Sequence, residues 1–205
     1  MTDAPPDRPE PAAAAPGDAG LVETRVASTP VYGGHFLHVR SDRVRLPDGT
    51  LAGREYIVHS GAVMIVPIAD DGRLVVERQY RYPIGQVLLE FPAGKRDAGE
   101  TTLACAQREL AEETGYRARE WAHAGRLHNA PAYATEVIDI WFARGLVAGP
   151  ARLDAGEFLE VLLLSQQDLL DQVARRELTD AKTMVALLWL QNWQSGAFPL
   201  MWQDA

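Results

Sequence analysis

Between Gly94 and Tyr116 the chain runs GKRDAGETTLACAQRELAEETGY, a stretch in which one helix must begin, carry three acids on a single turn, and stop. Thr101 is a natural N-cap and Gly115 a natural residue just past the helix end. Between them Leu103, Ala106 and Leu110 recur at helical spacing and define a core-facing stripe. Glu109 and Glu113 are one i, i+4 step apart and share a face, with Glu112 one position round. A carboxylate cluster this tight repels itself unless cations neutralise it. Mg2+ and similar hard cations bind through a few carboxylates together with substrate phosphates. The run therefore points to a helix packed by one face and holding a divalent cation with another. Taken alone, the acidic triplet also reads as a solvated helix face.

The rest of the chain surrounds this helix with strands. Residues 1–20 hold five prolines and six alanines with no Leu, Ile, Val or aromatic, and are expected to form a disordered tail. Residues 21–59 read as a β-rich segment about a Pro47-Asp48-Gly49 turn, too short to hold a core of its own. Residues 60–205 make the main domain. In it Gly61 to Ile68 and Arg73 to Tyr80 are expected to pair about an Asp70-Asp71-Gly72 turn, followed by a short strand from Val87 to Phe91. Beyond the helix, strands are expected near Glu136 to Ala143 and Glu157 to Leu164. Ser165 with Asp168 opens a helix through Arg176, and Thr179 or Asp180 opens a last, strongly apolar one ending at Gly196. This order predicts an α/β fold with a mixed sheet covered by helices.

The 205 residues are 47% apolar and 23% charged, enough to bury a sizeable core. A net charge of −8 argues against non-specific binding to nucleic acid or anionic membranes, which needs basic patches. It also means that metal ions and local arginines must override the global field if the ligand is an anion. Cys105 is the only cysteine, and among apolar neighbours it reads as an inert core thiol. No run is long and apolar enough to span a membrane, and the start MTDAPPDRPE lacks a signal peptide's apolar stretch. A cytoplasmic protein is expected.

Gly94, Glu100, Arg108, Glu109, Leu110, Glu112, Glu113 and Gly115 match the Nudix box in identity and spacing, and Tyr116 replaces its final aliphatic residue. The chain thus resembles the Nudix hydrolases, whose fold is an α/β/α sandwich with a mixed sheet. LLEFPAGKRDAGE, HNAPAYATEVIDIWFA and the segment ending HSGAVMIVPI are similar to the ADP-ribose pyrophosphatase subfamily. Pro131 stands fifteen residues past Tyr116, as the subfamily's proline does, although Ala132 replaces the glycine that usually follows it.

The resemblance implies roles for particular residues. Glu109 and Glu113 become the main metal ligands, Glu112 shares a second ion, and the backbone carbonyl of Ala93 joins them. Gly94 lets the backbone approach closely. Arg108 orients the loop through Glu100. In the RQYR segment Arg78, Gln79 and Arg81 are candidates for gripping the diphosphate, and Glu136 for positioning substrate. Glu90 is either another ligand or an arginine's partner. The base comes from the acidic loop RLDAGEFLEV, Glu157 before Asp154, with Glu160 assigned to the strand that follows. Tyr32, Phe36, Tyr56 and Tyr133 are aromatics able to stack on a base or to pack in the core.

The implied activity is Mg2+-dependent hydrolysis of ADP-ribose to AMP and ribose 5-phosphate, with Mn2+ as an alternative cation. The same chemistry on another nucleotide sugar, such as GDP-mannose, is the runner-up. A non-catalytic ADP-ribose sensor is a third reading, disfavoured by the intact box and the lack of a basic recognition helix. The subfamily's members are homodimers, and the 21–59 segment fits a dimer-forming role.

Overall fold

The computed structural model describes residue 15 and residues 17–205. The expected tail lies outside the described residues except at its end, where Asp18–Gly20 form a short 3-10 turn. The chain divides into two compact units. The described residues up to 60, with residues 130–136, form one, and residues 61–129 and 137–205 form the other.

The N-terminal unit is a three-stranded antiparallel sheet of β1 (Thr24–Gly33), β2 (His38–Arg45) and β3 (Leu51–Val58), paired in that order. The β2–β3 turn is the one expected at Pro47-Asp48-Gly49. Asp48 accepts bonds from the Thr50 amide and hydroxyl, and Gly49 takes φ +87°, a conformation that suits glycine. Residues 130–136 attach to the end of β3. The Ile57 amide donates to Tyr133 O at 2.8 Å, and the Thr135 amide returns to Ile57 O at 3.0 Å. Few apolar side chains are buried here, Val44 and Val58 among them, while Val26, Val31, Tyr32, Phe36 and Leu51 are exposed.

The larger unit holds an eight-stranded mixed sheet. Its strands are β4 (Ala62–Ile68), β5 (Leu74–Arg81), β6 (Gln86–Glu90), β7 (Ala93–Lys95), β8 (Tyr116–Leu127), β9 (Ile138–Ala148), β10 (Leu159–Leu164) and β11 (Trp202–Asp204). The order is β10-β5-β4-β9-β8-β11, with β6 beside β5 and β7 beside β4, and β4–β9 is the parallel pair. Helix α1 (Thr102–Thr114) covers one face, and α2 (Gln166–Ala174) and α3 (Ala181–Gln194) cover the other. This is the mixed sheet covered by helices that the element order predicts, in the α/β/α sandwich that the resemblance implies.

Strand β4 explains the layering. Val63 and Ile65 point into the cluster with Cys105, Ala106, Leu110, Trp121 and Trp141. Met64 and Val66 point into the opposite cluster with Phe91, Phe142, Leu169, Leu187 and Leu190. A strand buried on both faces needs an unbroken apolar run, and AVMIVPI supplies it. The apolar stretch of α3 is used in the core. Ala186, Leu187 and Leu190 are buried, and Trp189 and Trp193 pack against them. No described helix is long and apolar enough to cross a membrane.

Two features of the sheet lie outside what the sequence led us to expect. Strands β4 and β5 are joined by the Asp70-Asp71-Gly72 turn, yet they pair only at Ile68–Leu74. Beyond the turn β5 swings away to pair with β10 and β6, because β9 and β7 occupy the two sides of β4. The twelve-residue strand β8 was not anticipated at all. In its sequence YRAREWAHAGRL, Ala122 and Ala124 are buried at period two, and Ala118 and Trp121 are buried in the cluster with Leu110, but its Arg, Glu and Ala content hides the strand period.

Candidate active site

Helix α1 is built as its sequence directs. The Thr101 hydroxyl caps it by accepting from the Ala104 amide at 3.1 Å, and Gly115 ends it at φ +74°. A side chain at 115 would also meet Gly149 O at 2.3 Å, so glycine is required there for space as well as for conformation. Ala106 and Leu110 are buried and Leu103 partly so, which turns the acids of the last turns toward β7.

Strand β7 is the platform beneath them. Ala93 pairs with Met64 and Gly94 with Val63. The Ala93 amide donates to Glu113 Oε2 at 3.1 Å, and Glu113 is only 4% exposed. Gly94 lies directly under Glu109: a Cβ there would fall 1.9 Å from the Glu109 carboxyl carbon. The box glycine thus clears room for a carboxylate.

Arg108 organises the loop before the helix, as its spacing to Glu100 suggested. Its Nε and Nη2 donate to Glu100 Oε1 and Oε2, both at 2.9 Å, and Nη2 also reaches Lys95 O at 3.1 Å. The remaining Nη1 donates to Glu109 Oε1 at 2.7 Å and to Glu112 Oε2 at 3.1 Å. These bonds hold the Glu100 carboxyl down to about 2. The three box acids are therefore parted. Glu109 and Glu112 lean on Arg108, while Glu113 lies buried against Ala93. Among the described residues no three His, Cys, Asp or Glu side chains form a preformed cation cage.

The electrostatics around Glu113 nevertheless suit a cation. Burial, followed by the charges of Glu77, Glu109 and Glu157, pushes its carboxyl well above the usual range. Burial also raises Glu109, against the pull of Arg108. Glu77 is fully buried, and neither of its carboxylate oxygens has a hydrogen-bond partner. Burial first, and Glu90 second, raise it too. Buried acids that repel one another, with room made for them by a glycine, are the oxygen-rich surroundings that a hard divalent ion stabilises. The residues present fit such an ion.

Strand β5 and the loop after β9 bring further groups. By strand alternation Glu77, Gln79 and Arg81 share one face of β5. Gln79 Nε2 donates to Glu157 Oε1 at 3.3 Å, which fixes the loop acid beside this carboxylate set. Glu157 also accepts from the Asp154 amide at 3.3 Å. Arg81 binds Glu90 through Nε and Nη2 at 2.7 and 2.8 Å, and Lys182 of α3 bonds the same carboxylate. Glu90 is thus an arginine's partner, one of the two alternatives left open for it.

Other candidates lie elsewhere. Arg78 points to the opposite side of β5 and forms an exposed cross-strand pair with Glu160 at 2.7 Å. Glu136 belongs to the N-terminal unit, where His59 Nε2 stands 3.6 Å from it. Tyr56 donates to Asp42 at 2.9 Å, and Tyr32, Phe36 and Tyr133 are exposed. Cys105 is buried, its thiol pushed up to about 12 by desolvation, in keeping with an inert core residue. Sequence reasoning missed Glu77. The signal was a lone charge ending the apolar run LVVE, the half of β5 that is buried on both faces.

Known proteins resemble this chain over most of its length. The NUDIX domain model matches residues 58–187, and the model described as nucleoside diphosphate sugar hydrolase N-terminal domain matches residues 23–57. The ADP-ribose pyrophosphatase of Bacillus subtilis (strain 168) is 34% identical over 173 residues, covering 83% of this chain and 94% of that protein. The methanol dehydrogenase activator of Bacillus methanolicus is 32% identical over 171 residues, covering 82% and 92%. Among solved structures, one described as the crystal structure of ADP compounds hydrolase superposes with a TM-score of 0.77 at 27% identity, covering 85% of this chain and 95% of that one.

Proposed function

The chain belongs to the Nudix family, and from that membership we propose that it is a hydrolase cleaving the pyrophosphate bond of ADP-ribose to AMP and ribose 5-phosphate. Its working cation is Mg2+, for which Mn2+ substitutes. The observation that carries the reading is Glu113: a nearly buried carboxylate on the box helix with one amide partner and three acids acting on it. Such a group is costly to the fold and useful to a divalent ion.

The Ala93 carbonyl, Glu109, Glu112 and Glu113 hold the cation. When bound, it neutralises the diphosphate and lowers the pKa of a coordinated water. The protein does the rest. Glu157, held by Gln79, takes the proton from the attacking water. Gln79 and Arg81, on the carboxylate face of β5, bind the diphosphate, and Arg81 retains one nitrogen beyond its two bonds to Glu90. Arg78, on the opposite face of β5 and paired with Glu160, is a weaker candidate for substrate contact, as is Glu136 beside His59. Arg108 orients Glu109 and the loop carrying Glu100 without touching substrate.

We place the protein in the cytoplasm as a homodimer. The apolar side chains left exposed on the N-terminal sheet support the dimer, because a second copy would cover them. Sedimentation tests it, and a fully active monomer contradicts it.

The activity is tested by incubating the protein with ADP-ribose and Mg2+ and following products by 31P NMR. Equimolar AMP and ribose 5-phosphate, formed only with divalent cation present, is the expected result. Tight binding without turnover favours a sensor instead. Faster turnover of GDP-mannose in the same assay moves the substrate to another nucleotide sugar.

A further inference from the structure

Glu77 has no part in the mechanism above, yet it is the described carboxylate that is fully buried with both oxygens unbonded. It follows Leu74, Val75 and Val76, all buried, in the first half of β5. The cations within its electrostatic reach, Arg81 and Lys182, are both bonded to Glu90, its cross-strand neighbour on β6. The other charges acting on it, Glu90 and Glu157, are negative, and Glu77 in turn acts on Glu113.

A buried acid can be accommodated in two ways. It can take up a proton, which then needs an acceptor, or it can face a cation. No hydrogen-bond acceptor meets either Glu77 oxygen. The face of β5 that carries it also carries Gln79, which holds Glu157, and the charges of Glu77 and Glu157 both act on Glu113. We infer that Glu77 is a further carboxylate of the divalent-cation site, contributed by the sheet to complete the set contributed by helix α1. The inference rests on the reading of Glu113 as a metal ligand. It adds a group that lies outside the Nudix box, seventeen residues before the box glycine at 94.

The test is Mn2+ titration followed by electron paramagnetic resonance, on wild type, Glu77→Gln, Glu77→Val and Glu113→Gln, with thermal melts of each protein with and without Mn2+. Loss of a group that serves a metal lowers affinity by about tenfold or more, so Glu77→Gln and Glu77→Val are both expected to weaken Mn2+ binding to that extent. Both are also expected to melt higher than wild type without metal and to gain less when Mn2+ is added. Mn2+ affinity within about twofold of wild type in either folded Glu77 variant overturns the inference, while weakened binding in Glu113→Gln leaves the underlying site standing. Absence of Mn2+ binding by wild type overturns both.

Discussion

The guanidinium of Arg108 meets the carboxylate of Glu100 side on, through Nε to Oε1 and Nη2 to Oε2, both at 2.9 Å. The remaining nitrogen of that fork then reaches Glu109 and Glu112. One planar cation therefore ties the loop before α1 to two acids of the box. Lysine keeps the charge but cannot make this set of bonds. Arg108→Lys is expected to lower the unfolding free energy by about 1–3 kcal/mol, measured by urea denaturation. It should reduce kcat about tenfold or more, since Glu109 loses its orientation. Wild-type kcat in this variant would show that Arg108 does not position the site.

Two glycines should fail in different ways. Gly94→Ala brings a methyl into the Glu109 carboxylate, the movable end of a side chain. The fold is expected to survive, with a melting temperature near wild type, and divalent-cation affinity to fall by about tenfold in calorimetry. Gly115→Ala meets the Gly149 backbone and requires φ +74°. Its expected effect is on stability, a loss of about 1–3 kcal/mol in the same denaturation experiment.

Stability without metal should depend on pH with a definite sign. Glu77 and Glu113 have carboxyls raised in the folded state, chiefly by burial. The folded protein therefore binds more protons than the unfolded chain once the pH exceeds the ordinary glutamate value of 4.5. The stabilisation is complete below that value and is lost as pH rises toward the folded pKa values. Metal-free melting temperature is expected to fall from about pH 5 to about pH 8, and saturating Mg2+ to offset the fall by displacing those protons. A flat profile in calorimetric melts across that range would refute the assignment of these two acids.

Glu157 is the proposed base, so Glu157→Gln should lower kcat by about 10²–10⁴ while leaving KM and Mn2+ affinity within a few-fold of wild type. Steady-state kinetics with ADP-ribose separate these quantities. An unchanged kcat transfers the role to another group, Asp154 first.

Much of the fold could be read locally. The caps of α1, α2 and α3 at Thr101, Ser165 and Asp180 depend on bonds to residues three positions away; the first two are visible in the sequence, and the third is narrowed there to Thr179 or Asp180. Helix α2 ends at Ala174, before the expected Arg176, because Arg176 turns to φ +63°. What escaped depends on distant partners. Nothing near Asp70-Asp71-Gly72 says that β5 will leave β4 for β10, a strand some eighty residues away. The burial of β8 becomes clear only once Ala118 and Trp121 have a cluster to enter. At the site, the Arg108–Glu100 pair was legible from spacing. The significance of Glu77 was not, since a single charge in a strand gains meaning only when its neighbours prove to be acids or to be already paired.

The seven residues 130–136 group with the N-terminal sheet although more than seventy positions separate them from β3. Truncation at residue 60 would therefore not excise a tidy module. It would strip Tyr133 and Thr135 of their backbone partner Ile57 and leave a ragged stretch inside what remained. During biosynthesis the same dependence delays completion of the first sheet until β8 has been translated, so the two units cannot mature in simple sequential order.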